Sequence, residues 1–178
     1  ILVVKPASPS FGDYHAEILR NEGLNAYAVA DVGALSAATL APYDVVVLAE
    51  TSLTPAQVAV LTDWVNGGGN LIAMKPDNAL APLLGLSPVG TSLSNGYLLV
   101  NTATGPGNGI VNQTMQFHGT ADRYLLNGAS SVATVTSTSY SVCKAAGSPS
   151  QKRRRLRRTY QLLTLSTKSP TGRVAQNA

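Results

Sequence analysis

Five apolar residues in a row, Val45 to Ala49 in "DVVVLAE", lie between Asp44 and Glu50. So short and uninterrupted a run, rich in β-branched side chains, reads as a strand covered on both faces, as in a parallel sheet. Such a strand needs helices above and below it, and its neighbours supply them. "TPAQVAVLTDWVNGGGN" follows, with Thr54 as cap, Pro55 in the first helical position and Gln57 completing a capping box. Val58, Leu61, Trp64 and Val65 form its expected buried face, and Gly67 to Gly69 turn the chain into the strand "LIAM". Upstream, "ILVVKP" is a buried strand and "SFGDYHAEILRNEG" a helix. In that helix Ser10 and Asp13 have capping-box spacing, Tyr14, Ile18 and Leu19 form the apolar stripe, and Gly23 is the stop. "AYAVAD" is a further strand, and "LSAATLAPYD" a short helix or turn ended by Pro42.

Strand and helix alternating in this way predict parallel strands near residues 1–5, 26–30, 44–49 and 70–74, joined by right-handed crossovers. The expected fold is α/β, a three-layer sandwich with a flavodoxin-like parallel sheet and Trp64 buried beneath it. After Gly85 the texture changes to β-rich additions. "SPVGTSLSNGYLLVNT" carries an Asn-Gly turn between apolar runs and predicts a hairpin, while "QTMQFHG" and "SSVATVTST" read as two further strands.

Charge divides the chain. All nine acids precede Arg123, whereas the ten Lys and Arg from Arg123 onward face none. The expected organisation is an α/β domain over 1–140 and a basic, acid-free tail over 141–178. Clustered arginines after Lys152 suit phosphate neutralisation, yet the tail has one tyrosine, Tyr160, and no recognised module. The abrupt loss of acids favours a frame-shifted or foreign extension over a nucleic-acid arm. Its "TYQLLTLST" is apolar enough to pair as an edge strand, and self-association is a further option. A single cysteine, Cys143, excludes an internal disulfide and a Cys-based zinc site. With only His15 and His118 besides, no metal and no cofactor is expected. No run approaches the ~20 apolar residues of a membrane span. The chain opens on Ile1 rather than Met, so an upstream segment, a secretion signal among the options, is expected to have preceded it.

The segment "YDVVVLAETSLTPAQVAVLTDWVNGGGNLIAM" resembles class I glutamine-amidotransferase-like domains, especially their trehalose-utilisation (ThuA-like) branch. The order Tyr-Asp, apolar strand, helix opening near Thr-Pro-x-Gln, Gly-Gly and a further strand carries the likeness, which extends over residues 1 to 86. The middle, trimerisation domain of family 42 β-galactosidases is similar too. The resemblance implies an amidotransferase-like sheet, with a nucleophilic cysteine or its histidine replacement near Met74 or Lys75. Neither residue type stands there, and no Cys-His-Glu set can be assembled, so glutaminase activity is not expected.

In open α/β sheets, ligands bind beyond the carboxyl ends of the strands, near the switch in strand order. Glu50 and Asp77 end strands expected to be adjacent, ~4.8 Å apart. Their carboxylates could then meet the ~5 to 9.5 Å separation of glycosidase pairs, with Lys75 between them lowering one pKa. The competing structural reading makes Asp77 the cap of "NALAPLLGL" and Glu50 a partner of Lys75. Substrate-binding candidates are His15, Lys75, Asn78, Ser8, Ser10 and His118. For His15 a solvated helix end, and for His118 of "FHGTADRY" a turn position fixed by Asp122 and Arg123, are the alternatives. Two function classes follow. One is a carbohydrate-active hydrolase, β-galactosidase-like through its relatives, with a small-molecule or carbohydrate ligand. The other is a non-catalytic carbohydrate-linked binding or homo-oligomeric module.

Overall fold

A computed structural model describes residues 1–8, 10–103 and 105–137 and the strand Leu165–Ser166; the basic run from Lys152 to Arg158 and Cys143 lie outside the described residues. These residues fall into two compact units, one comprising Ile1–Leu84 with the strand Leu165–Ser166, the other starting at Gly85.

The first unit is an α/β sandwich. Its strands are β1 (Leu2–Lys5), β2 (Ala28–Asp31), β3 (Val45–Leu48) and β4 (Asn70–Ala73), and its helices α1 (Phe11–Asn21), α2 (Ala37–Leu40) and α3 (Pro55–Asn66). The sheet order is β4-β3-β1-β2 with every pairing parallel, as the sequence predicts. Leu165–Ser166 adds an antiparallel strand against Ile72 and Leu71 of β4. From β1 the chain steps one way to β2 and then back past β1 to β3 and β4. With right-handed crossovers this puts α1 on one face and α2 with α3 on the other, and α2 and α3 are neighbours. Leu2, Val3, Val4, Val46, Leu48, Leu61, Val65 and Leu71 make the core, burial worth about 1.5–3 kcal/mol for each large side chain.

Helix starts follow their local chemistry. Thr54 and Gln57 form the expected capping box on α3, and Ser10 and Asp13 form one on α1. Two expectations are corrected. Trp64 is half-buried rather than buried, because its indole lies across the backbone of Gly69, where any side chain would collide with it. Tyr14 and Ile18 are exposed, because α1 turns a different face inward: Gly12 is buried and His15, Ala16 and Leu19 are half-buried. A Cβ on Gly12 would come within 2.5 Å of Lys5 Cβ and 3.0 Å of Ala49 Cβ. Glycine therefore lets the first turn of α1 settle onto the ends of β1 and β3.

The second unit holds β5 (Leu86–Ser94), β6 (Tyr97–Val100), β7 (Met115–Gln116), β8 (Thr120–Leu126) and β9 (Ala133–Thr136). The Asn-Gly turn is present, with Asn95 at φ 49°, but the hairpin is not. β5 pairs with β8, whereas β6 pairs with β7 and β9, so Asn95-Gly96 carries the chain from one sheet into another. Gly96 has no room for a side chain there, since a Cβ would stand 2.8 Å from the Thr136 carbonyl oxygen. Ala121 and Val135, flanked by Leu93, Leu98 and Phe117, form a local core.

Candidate functional site

The reversal in strand order falls between β1 and β3, and the loops leaving both strands open onto a cleft of about 630 Å³. Ser10, Phe11, Asp13, Tyr14 and Glu17 of α1 line it, with Glu50 from the end of β3. Gly12 explains why the cleft is here, because it holds the start of α1 close to β1 and β3. Phe11 and Tyr14 are 71 % and 59 % exposed, and their ring centroids are 6.0 Å apart at 44°. Two aromatic rings, tilted against each other, are thus left open beside the carboxylates that line the cleft.

Two of the three carboxylates are compensated. Asp13 Oδ1 lies 3.0 Å from Lys5 Nζ, and its other oxygen accepts the Ser10 amide at 3.1 Å. The Ser10 amide and then the Lys5 ammonium hold the Asp13 carboxyl below the usual carboxylate range. Glu50 is bound by Lys75 through a short charge-assisted contact. Glu17 makes no ion pair among the described residues.

Lys75 stands just past Met74, which follows β4, and has φ 46°, in the left-handed region that a residue with a side chain enters at a cost of about 1–2 kcal/mol. Asp77 ties this turn down. Its Oδ1 accepts the Ala79 amide at 2.9 Å, capping the single 3-10 turn Asn78–Leu80, and its Oδ2 accepts the Leu53 amide at 3.1 Å. The segment after Asp77 thus starts with a capped turn, as the structural reading expects, though the turn is 3-10 and short.

Of the sequence candidates, Ser10 and Glu50 meet in the cleft, and Lys75 reaches it through Glu50. Ser8 and Asn78 are exposed on the loops after β1 and β4. His15 lies on the half-buried face of α1, where loss of solvent lowers its pKa. His118 is exposed between β7 and β8 of the second unit. Sequence reasoning puts Asp13 and Glu17, beside His15, at the helix end facing the cleft, but misses Phe11 and Tyr14 as lining residues. Their i, i+3 spacing was the available signal, but hydrophobic periodicity alone assigns such aromatics to a core. Among the described residues no cluster of His, Cys, Asp and Glu could hold a metal ion, and no helix is long and apolar enough to cross a membrane.

No protein-family model and no curated protein matches the chain. Two solved structures of similar fold are glycoside hydrolases. A cold-adapted β-galactosidase from Rahnella sp. R3 superposes with a TM-score of 0.61 at 14 % identity, over 75 % of this chain and 24 % of that one. The exo-β-1,4-mannosidase Op5Man5 from Opitutaceae bacterium strain TAV5 gives a TM-score of 0.52 at 14 % identity, over 78 % of this chain and 27 % of that one. The chain thus spans about a quarter of the length of these enzymes, and at this identity the likeness is one of fold.

Proposed function

We propose that this chain is a carbohydrate-associated α/β module that binds a hydroxyl-rich ligand in the α1–β3 cleft without cleaving it. The observation that carries this reading is the exposed Phe11–Tyr14 pair, which lines the cleft together with Ser10, Asp13 and Glu50. Pyranose rings offer C–H faces that pack on aromatic rings, and their hydroxyls donate to carboxylates, which accept only. Fold likeness to a portion of two glycosidases adds to the case. Against catalysis stands the state of Asp77, one of the two carboxylates that a glycosidase pair would need: both its oxygens accept backbone amides, which ties it to a structural role.

The hydrolytic reading keeps one favourable observation, namely that Glu50 lines the cleft at a strand end. Incubation of the purified chain with a panel of chromogenic glycosides, beside the Glu50→Gln/Asp77→Asn double variant, separates the two. The binding reading predicts no release above buffer for either protein. Release by the parent that the double variant lacks would replace it with the hydrolase, β-galactosidase-like or otherwise.

A further inference from the structure

We infer that the second unit carries two self-modifying turns, Asn108-Gly109 and Asn127-Gly128, at which asparagine converts spontaneously to aspartate and isoaspartate. The chain contains four Asn-Gly pairs, starting at 66, 95, 108 and 127. Asparagine is a thermolabile residue, and a following glycine has no Cβ to shield its amide nitrogen from the side chain before it. That nitrogen attacks Cγ, the Cγ–Nδ2 bond breaks, and ammonia leaves with the glycine N–H proton. Water then opens the five-membered imide at either carbonyl, giving aspartate or isoaspartate, with no change of oxidation state.

The fold decides which pairs react. Asn66 ends α3, and the Gly67 amide is committed to the Asp63 carbonyl at 2.9 Å. Asn95 is held through its side chain, whose Oδ1 accepts the Gly119 amide at 3.3 Å, and Gly96 is buried against the Thr136 carbonyl. At the other two pairs both residues are exposed. There neither the asparagine side chain nor the glycine amide has a hydrogen-bond partner among the described residues. A Cβ on Gly109 or Gly128 would meet nothing within 4 Å, so both turns are uncrowded. At Asn127 the conversion has a structural consequence. The Asn127 and Ala129 amides both donate to the Gly85 carbonyl, at 2.7 and 3.2 Å, next to the pairing of Leu86 in β5 with Leu126 in β8. Isoaspartate adds a methylene to the main chain between these two amides, which then no longer converge on one oxygen.

The test is peptide mapping by mass spectrometry after incubation at mildly alkaline pH, where the attacking amide loses its proton more readily. The chain is incubated once folded and once in urea. Isoaspartate is counted separately by methyl transfer from S-adenosylmethionine with an isoaspartyl methyltransferase. In urea all four pairs should convert at similar rates. In the folded chain Asn108 and Asn127 should convert, and Asn66 and Asn95 should lag by about tenfold or more, since each must first open by breaking a hydrogen bond. The Asn108→Ser/Asn127→Ser double variant changes only exposed turn positions that serine suits. Shown to be folded by urea denaturation, it should lose nearly all methyl acceptance. Conversion of Asn66 or Asn95 in the folded chain as fast as that of Asn108 and Asn127 overturns the inference. So does a folded chain that keeps Asn108 and Asn127 intact while urea converts them, or methyl acceptance that persists in the double variant.

Discussion

Asp77 joins the loop after β3 to the turn after β4, because one carboxylate oxygen accepts the Leu53 amide while the other caps Asn78–Leu80 through the Ala79 amide. Asparagine can replace one of these acceptors but presents an NH2 to the other amide. Asp77→Asn should therefore cost about 1 kcal/mol, the scale of one hydrogen bond, and Asp77→Ala more, since both amides then lose their partner. Urea denaturation of the two variants checks the order. Ligand binding in the cleft should be unchanged in both.

At Lys75 strain and charge can be separated. Lys75→Gly and Lys75→Ala both remove the contact with Glu50, but only glycine relieves the left-handed backbone at φ 46°. The glycine variant should be the more stable of the two by about 1 kcal/mol. Equal stabilities would show that the turn relaxes without strain.

Gly12→Ala places a methyl where the backbone-anchored Cβ atoms of Lys5 and Ala49 already stand, 2.5 Å and 3.0 Å away. Neither neighbour can swing aside as a long side chain would, so the start of α1 must lift. A loss of about 1–3 kcal/mol is expected, with weaker ligand binding because the cleft lining moves with the helix. Denaturation and calorimetry on the same variant test both halves.

His15 links stability to pH. Desolvation lowers its pKa in the folded chain below the ordinary 6.5, so between the lowered value and 6.5 the unfolded chain binds more protons. Its contribution is complete above 6.5 and is lost as pH falls through that window. The melting temperature of His15→Gln should vary less with pH than that of the parent between pH 8 and about 5. Asp13 acts lower, because its depressed pKa makes its contribution present above 3.8 and lost as pH falls toward the folded value.

The four parallel strands were legible because a doubly covered strand has a compositional mark, the apolar β-branched run, and because capping at Ser10 and Thr54 is strictly local. Pairing in the second unit was not. Asn95-Gly96 announces a turn, but which strands lie side by side depends on partners far along the chain, and β8 pairs with β5 across a bulge between Pro88 and Ser92. β8 itself was hidden by Asp122 and Arg123, which interrupt its apolar pattern. The cleft was half-legible. Strand-end logic located Glu50, whereas Phe11 and Tyr14 carry the same apolar signature whether they face a core or a ligand.

The central claim is binding without cleavage at the α1–β3 cleft. The most direct measurement is a backbone amide NMR titration of the chain with a β-1,4-linked glucose trimer, followed by chromatography of the recovered ligand. The account predicts shifts concentrated on Ser10 to Glu17 and around Glu50, saturation with ligand, and a trimer recovered intact. Shifts confined to other residues, no shifts at all, or a trimer shortened by the parent but spared by Glu50→Gln would contradict it.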